Sequence, residues 1–435
     1  MSASPFTEQS HHGSGIRSTR ITSRHSRRWA KAGEFVFGAT IVLSCFSLVL
    51  DENSLIWTGP ALRFGVHPSL AMRVVPVVCM MSAFLLFVLA TGRAALRRPL
   101  SHILPLPVIC QLLLGAWVVL GSVYSRLVEN NAESFFALGM AIFTAPCAYW
   151  CFEMAPDRGR LVRILMISLA IGTAPVLASS MAKVFSTDGA YSEYFPVPFA
   201  LAGLVWFVVP QTAVRVVVAV STTLLCLFSL KKTGVIALGA MAMPMVIDAC
   251  IQRFGATAKA LRILVGLALA VLAATAGAFL LLADSFRSGE HQFRQYTYMI
   301  AWRQFTDSPL WGQLYTGSLT IHNPYYVEHP VMIHNDLLDV LRQGGVIALV
   351  LFLVSTLSSW WMLWRFRRYW SIAPAPLLGG AAALSGIFVI LSFNPTLTTP
   401  DVATVVWTMI GSTLWHQIAF CQTIEERQTA AWFHR

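Results

Sequence analysis

The sequence has few charged residues. They make up 12% of its 435 residues, whereas an ordinary soluble domain carries about 25%. Hydrophobic residues make up 56% of the chain, and apolar runs of about 20 residues, enough to cross a hydrocarbon layer of ~30 Å, recur along its whole length. This composition excludes a soluble globular domain and predicts an all-α polytopic membrane protein.

We predict about twelve transmembrane helices from these runs. The spans are 33–50, 70–91, 103–124, 134–153, 163–184, 196–210, 213–230, 233–251, 263–283, 335–358, 375–393 and 402–420. The span 196–210 is short and ends at Pro210, so a count of eleven stays open.

The positive charges predict the orientation. With the N-terminus inside, most of the 31 Lys and Arg residues fall on the cytoplasmic side, as the positive-inside rule requires. We therefore expect a disordered basic cytoplasmic tail (1–32), a single integral membrane domain (33–420) and a second cytoplasmic tail (421–435). The net charge of +11 reflects this bias, and no basic patch interleaved with aromatics predicts a nucleic-acid partner.

Cysteines are absent from the predicted outer loops. All eight fall in or at the end of predicted spans, whereas oxidation would occur on the outer side. We predict no disulfide.

The one long connection covers residues 285–334, which we place on the outer, periplasmic side. Loops of this length are usually functional or disordered, and the aromatics and prolines of "FRQYTYMIAWRQFTDSPLWGQLYTG" argue against disorder. Apolar residues over 295–305 predict an amphipathic helix lying at the membrane interface. The connection is the expected place for a site.

Several positively charged residues fall on the predicted outer side, where the positive-inside rule predicts few. They are Lys231, Lys232, Arg294, Arg303 and Arg342. Snorkelling to the interface explains the two lysines as well as function does. Arg342 lies inside a predicted span, where a buried charge needs a partner, and Asp339, three residues earlier, is the expected one.

Four histidines (His291, His322, His329 and His334) lie in or just after this connection. Their spacing does not suit a helical ligand pair, and prolines interrupt the chain between them, so we predict no metal. His334, at the outer mouth of a helix, can accept a proton near neutral pH. A capping or interfacial histidine is the alternative.

The order of these features resembles the O-antigen ligase and Wzy-type polymerase superfamily. A "KKTG" turn opens a span, and "RQYTYMIAW", "SPLWG" and "HNDLLDVLRQGGVIALVLF" follow in order. The resemblance is strongest over residues 228–355. Members of this superfamily join sugars delivered on a polyprenyl-pyrophosphate carrier at the outer face of the bacterial inner membrane, and the resemblance implies a GT-C-like fold.

Residue by residue, the resemblance assigns a site. His334 and Asn335 match the family's His-Asn, and Lys232 stands where the family usually has Arg. The other matches are Arg294, Trp302, Pro309, Gly312 and Gly345. The departures are Lys232 for Arg, Gln343 for Glu, Ala348 for Gly and Leu314 for Gly, and the first matters most because Arg binds phosphate bidentately while Lys is a point charge.

These assignments predict a membrane glycosyltransferase without a cofactor. His334 would be the catalytic base, Asn335 or Asp336 would orient it or a sugar hydroxyl, and loop aromatics would offer faces to sugar rings. The residues expected to bind the pyrophosphate or substrate are Lys232, Arg294, Arg287, Arg303, Asn335 and Asp336.

The expected reaction is polymerisation of carrier-linked repeat units into an exopolysaccharide or O-antigen. The alternative within the superfamily is a ligase that transfers the glycan to lipid A-core or another acceptor. Outside it, a polysaccharide transporter or flippase would also have about twelve spans, but such folds show internal repeats, and none is evident here. A membrane scaffold without catalysis is the third possibility. The expected partners are the glycan donor, a sugar acceptor and the bilayer, with a chain-length regulator and a flippase of the same pathway.

Overall fold

The computed structural model describes most of the chain. The described residues are 24–50, 70–92, 99–129, 133–185, 195–228, 232–254, 289–315, 319–323, 326–331, 333–394, 396–397 and 399–433. The predicted span 263–283 and Arg287 lie outside them.

The first half of the chain forms ten helices within these residues. They are α1 (Arg24–Leu50), α2 (Leu70–Thr91), the short α3 (Leu100–Ile103), α4 (Leu106–Glu129), α5 (Glu133–Ile142), α6 (Thr144–Met154), α7 (Arg158–Phe185), α8 (Pro196–Val208), α9 (Thr212–Phe228) and α10 (Lys232–Phe254).

The second half contains the remaining helices and a small antiparallel hairpin. Its elements are α11 (Gly289–Asp307), β1 (Leu319–Asn323), β2 (Tyr326–Val331), α12 (Asp336–Arg365), α13 (Ala375–Phe393) and α14 (Pro400–Phe433), with a 3-10 turn at Arg367–Ile372. In the hairpin Leu319 pairs with Val331 and Ile321 with His329. The hairpin was not predicted.

Eight helical segments of the described chain are long and apolar enough to cross a membrane, and α8 and α9 are shorter apolar helices. A helix occupies every predicted span that the structure describes. The fold is therefore that of an all-α polytopic membrane protein, while the count of twelve stays a prediction.

Helices extend into both predicted tails, whose cytoplasmic location stays a prediction. Helix α1 already begins at Arg24, inside the tail that we expected to be disordered, and α14 continues to Phe433, through most of the second tail. Each helix extends past its apolar run because a helix continues wherever its backbone hydrogen bonds can form, with or without lipid around it. The polar residues mark the end of each predicted span, but the helix itself continues through them.

Helix α14 is the centre of the bundle. Residues 400–417 are all buried, and the helix contacts α1, α2, α5, α6, α8, α12 and α13. Its inner stretch includes Thr404, Thr408, Ser412 and Gln417, all buried. These polar side chains are tolerated because neighbouring helices, rather than lipid, surround them.

One end of the bundle carries the parts relevant to function. It is formed by the start of α12, helix α11, the connection between α13 and α14, the part of α4 around Trp117 and the start of α5. We call it the loop end.

Candidate active site at the start of α12

Helix α12 is broken at Gly345, where the backbone has φ 68° and ψ −168°. In an unbroken helix the Val346 N–H would donate to the carbonyl of Arg342. Here the Val346 N–H donates to the Pro309 carbonyl (2.9 Å), and the Gln313 N–H donates to the Arg342 carbonyl (2.8 Å). Residues 309–313 are thus inserted into the break. They supply hydrogen-bond partners for the Val346 N–H and the Arg342 carbonyl, which would pair with each other in an unbroken helix.

Two glycines make this insertion possible. Gly312 and Gly345 both have positive φ, at 64° and 68°. A Cβ on Gly312 would come within 2.5 Å of the Arg342 carbonyl oxygen, and a Cβ on Gly345 would clash with the Leu310 carbonyl. Only glycine combines this backbone conformation with so close an approach. Gly312, Gly345 and Pro309, whose carbonyl accepts from Val346, are therefore parts of one contact.

The break divides α12 into α12a (336–344) and α12b (346–365). Segment α12b alone has about 20 residues, enough to span ~30 Å of hydrocarbon. The span predicted over 335–358 is occupied by α12, but the helix is interrupted at Gly345. The polar residues of α12a do not need to lie among lipid chains, which explains why they precede so apolar a helix.

The residues at the start of α12 have distinct roles. The Asn335 side chain caps the helix, its Oδ1 accepting from the Leu338 N–H at 2.9 Å. The Asp336 carboxylate is buried (2% exposed), and its Oδ2 accepts from the N–H groups of Thr396 and Leu397, both at 2.9 Å. Asp336 thus ties α12a to the α13–α14 connection, an arrangement that serves structure more than substrate binding.

Tyr298 of α11 contacts the backbone of His334, and Arg294 lies near Tyr298 on the same helix. The Tyr298 hydroxyl donates to the His334 carbonyl oxygen at 2.8 Å. Arg294 lies four residues before Tyr298, on the same side of α11. Burial raises the pKa of the Tyr298 phenol, and the positive charge of Arg294 acts in the opposite direction. Tyr298 therefore contacts the backbone of the predicted base and lies near one predicted cation.

Arg342 joins α12a to α11. Its Nε and Nη2 donate to Asp339 Oδ1 at 3.0 and 2.9 Å, and its Nη1 donates to Gln304 Oε1 at 3.1 Å. The Arg342 side chain is buried. The predicted Asp339–Arg342 pair is confirmed, and Gln304 is a partner that was not predicted.

A small apolar cluster fills the space between these polar contacts. Ala301 of α11 and Ile333 are buried, and Tyr298, Ile300 and Leu338 pack against them. Helix α11 therefore uses its buried side to pack on α12a. The exposed side carries Tyr296, Met299 and Trp302, and its predicted location at the membrane interface stays a prediction.

The other predicted cations are placed differently. Arg303 is exposed and follows Arg294 by about two and a half helical turns, so it lies on the opposite side of α11. Lys232 is the first residue of α10, at the positive end of the helix dipole. Lys231 and Arg287 lie outside the described residues. Arg294, but not Arg303, lies on the side of α11 that carries Tyr298.

The loop aromatics divide into two groups. Trp302 and Trp311 are 54% and 50% exposed, whereas Tyr315 is 3% exposed. Trp311 stacks on Trp117 of α4, with ring centroids 5.6 Å apart, and Tyr315 meets Phe135 of α5 edge-on at 5.7 Å. Tyr315 therefore packs the loop onto the bundle and has no face to offer a sugar, contrary to expectation.

A small cavity lies behind α12a. Its volume is about 30 Å³, and its lining is largely apolar, with Asp339, Gln343 and Tyr315 among the lining residues. This is room for a water molecule but not for a sugar ring. Burial and the nearby Asp339 carboxylate both raise the pKa of the Tyr315 phenol, so the ring stays neutral beside the cavity.

The structure describes no metal cluster. Among its described residues, no three His, Cys, Asp or Glu side chains are close enough together to hold a metal ion. The side chains of His291, His322 and His329 are not among those described. Their predicted inability to bind metal stays a prediction.

The site lies within a segment shared with a known family. The O-antigen ligase family model matches residues 217–353. The resemblance to the O-antigen ligase and Wzy-type polymerase superfamily is confirmed over this segment. The matched segment runs from α9 into α12b and contains Lys232, Arg294, His334 and the loop inserted at Gly345. No curated protein matches the chain.

The match supports an O-antigen ligase- or polymerase-type function in general. It indicates a glycosyltransferase-like membrane enzyme with lipid-linked glycan substrates. The multiple apolar helices independently indicate a multi-pass membrane protein. The Thr396 and Leu397 partners of Asp336 lie outside the matched segment, so the site is completed by a part of the chain that the match does not cover.

Proposed function

We propose that the protein polymerises polyprenyl-pyrophosphate-linked oligosaccharide repeat units into an exopolysaccharide or O-antigen. The observation that carries this proposal is the hydrogen bond from the Tyr298 hydroxyl to the His334 backbone, with Arg294 near Tyr298, at the loop end and inside the matched segment. Glycosyl transfer from a pyrophosphate carrier requires a base for the acceptor hydroxyl and fixed positive charge for the leaving group.

In the proposed step, a hydroxyl of the acceptor sugar attacks the anomeric carbon of the donor. A new carbon–oxygen bond forms, and the bond from that carbon to the carrier pyrophosphate breaks, its electron pair leaving with the phosphate oxygen. The His334 imidazole accepts the hydroxyl proton and later releases it to water. His334 is partly exposed and its Nδ1 is buried, so we assign this role to Nε2.

The cations act on the leaving group. Negative charge gathers on the pyrophosphate as its bond breaks, so fixed positive charge stabilises the transition state more than the ground state. Arg294 is the favoured cation because it lies beside Tyr298. Lys232 adds its charge at the N-terminus of α10, where the helix dipole also favours an anion.

We propose a metal-independent enzyme, because side chains can supply the positive charge that a metal ion would otherwise provide. Arg303 faces away from this place and contributes less. Exposed Trp302 and Trp311 are the aromatics able to stack on sugar rings.

We place the protein in the bacterial inner membrane with both termini cytoplasmic, as the positive charges suggest. The loop end then faces the periplasm, where carrier-linked repeats are joined. A chain-length regulator and a flippase of the same pathway are the partners that this placement implies.

A ligase that passes the glycan to lipid A-core is the second candidate, because the matched family is named for that reaction. The glycolipid profile of a deletion strain separates the two. A lost polymerase leaves single carrier-linked repeats, whereas a lost ligase leaves long unattached chains. Complementation with the wild-type chain should restore long polysaccharide, and unattached long chains in the deletion strain would overturn the polymerase assignment.

A further inference from the structure

The proposed base and cation lie on different elements, His334 before α12a and Arg294 on α11. Their spacing therefore depends on how α11 docks. Two polar contacts fix this docking, one on each side of the Ala301–Ile333 cluster. The first is the Tyr298 hydroxyl on the His334 carbonyl, and the second is the Arg342 guanidinium on Gln304.

The inserted loop binds both residues of the second contact. Gln313 Nε2 donates to the Gln304 carbonyl at 2.7 Å, and the Gln313 N–H donates to the Arg342 carbonyl at 2.8 Å. Helix α11, the loop and α12a thus meet at Gln304, Gln313 and Arg342. Along α11 this point lies about 9 Å from Tyr298.

We propose that Tyr298 and Gln304 are positioning residues that hold His334 in register with Arg294. Neither is assigned a contact with substrate. Tyr298 acts on the backbone of the base itself, and Gln304 prevents α11 from turning about that first contact. Since a displacement of about 1 Å can cost a catalytic group most of its effect, loss of either contact slows the chemical step more than it weakens substrate binding. This inference rests on the proposed function.

The test uses conservative variants and a matched control. Tyr298→Phe removes only the hydroxyl, while Tyr296→Phe makes the same change at a side chain 44% exposed on the other side of α11. Gln304→Met removes the acceptor oxygen for Arg342, and Gln304→Glu restores it. The full-length protein in lipid nanodiscs is assayed with the carrier-linked repeat units that accumulate in the deletion strain.

We expect Tyr298→Phe and Gln304→Met each to lower kcat by roughly 3- to 10-fold, as the loss of one hydrogen bond implies, with KM changing less than about twofold. Tyr296→Phe should match the wild type, and Gln304→Glu should recover most of kcat. Unchanged kcat in both Tyr298→Phe and Gln304→Met overturns the inference. A rise in KM equal to the fall in kcat also overturns it. So does a loss of activity that is explained by a lower melting temperature of the variants.

His334→Ala separates this inference from the proposed function. If His334→Ala keeps full activity, the proposed function fails whatever the positioning variants do. If His334→Ala is inactive while both Tyr298→Phe and Gln304→Met behave as the wild type, only the positioning role fails. In the His334→Ala background, Tyr298→Phe should cause no further loss of residual activity, because the group that it positions is gone.

Discussion

The backbone N–H of Val346 donates to the carbonyl oxygen of Pro309, 2.9 Å away, across a break in α12. The carbonyl of Pro309, a loop residue, thus replaces the carbonyl of Arg342 as the acceptor for this N–H. The exchange separates the polar α12a, which follows the candidate base His334, from the apolar α12b. It also brings the loop against α4 and α5 through Trp311 and Tyr315.

Gly345→Ala should destabilise the protein. The new Cβ would clash with the Leu310 carbonyl at a positive φ, and strain of this kind costs about 1–3 kcal/mol. The expected result is a lower midpoint of thermal unfolding in detergent. Gly239→Ala in α10 is the control, because a Cβ there meets nothing within 4 Å. Equal midpoints for the two variants would show that the break is not tightly packed.

Asp336→Ala should lower stability more than Asn335→Ala. It removes a buried charged acceptor and leaves the N–H groups of Thr396 and Leu397 without it, at a cost of roughly 2–4 kcal/mol. Loss of the Asn335 cap costs about 1 kcal/mol. Thermal unfolding of both variants measures the difference. A fully stable but inactive Asp336→Ala would instead favour the substrate-binding role.

Arg342→Met should be strongly destabilising, because it leaves the Asp339 carboxylate without its buried partner. Removing one member of a buried ion pair costs about 3–5 kcal/mol. Arg342→Met combined with Asp339→Leu should recover much of this loss, since no uncompensated charge then remains. A double-mutant cycle on unfolding free energies gives the coupling, and additive effects would mean that the two residues act independently.

Alkaline pH should destabilise the loop end through Tyr298 and Tyr315. Burial raises the pKa of both phenols, so the folded protein keeps their protons where the unfolded chain loses them. Their contribution to stability is full below the unfolded value of about 10 and is lost as the pH rises above it. Unfolding midpoints between about pH 9 and 11 should fall less steeply in Tyr298→Phe than in the wild type. Tyr296→Phe should retain the wild-type slope.

The site could be predicted in part from the sequence. His334 and Arg294 came from the ordered motifs, and the Asp339–Arg342 pair from its spacing and from the cost of a lone charge in a span. The break at Gly345 was missed because "GGVIALVLF" continues an apolar run, and its stability depends on a loop more than thirty residues earlier in the chain.

Tyr298 and Gln304 were missed for a related reason. Their roles depend on which side of α11 packs against α12a, and a helix with aromatics on both sides does not disclose that side. The four-residue spacing of Arg294 and Tyr298 was the available signal. Asp336 was left open between two roles because its partners, Thr396 and Leu397, lie about sixty residues later.

The most direct test of the account compares two arginines of one helix. Arg294→Ala, Arg303→Ala and His334→Ala variants are reconstituted at equal levels, and the initial rate of chain elongation is measured with carrier-linked repeat units. The account predicts that Arg294→Ala and His334→Ala each lose at least about a hundredfold in kcat, while Arg303→Ala stays within a few fold of the wild type. Near-wild-type rates for either of the first two variants would contradict it.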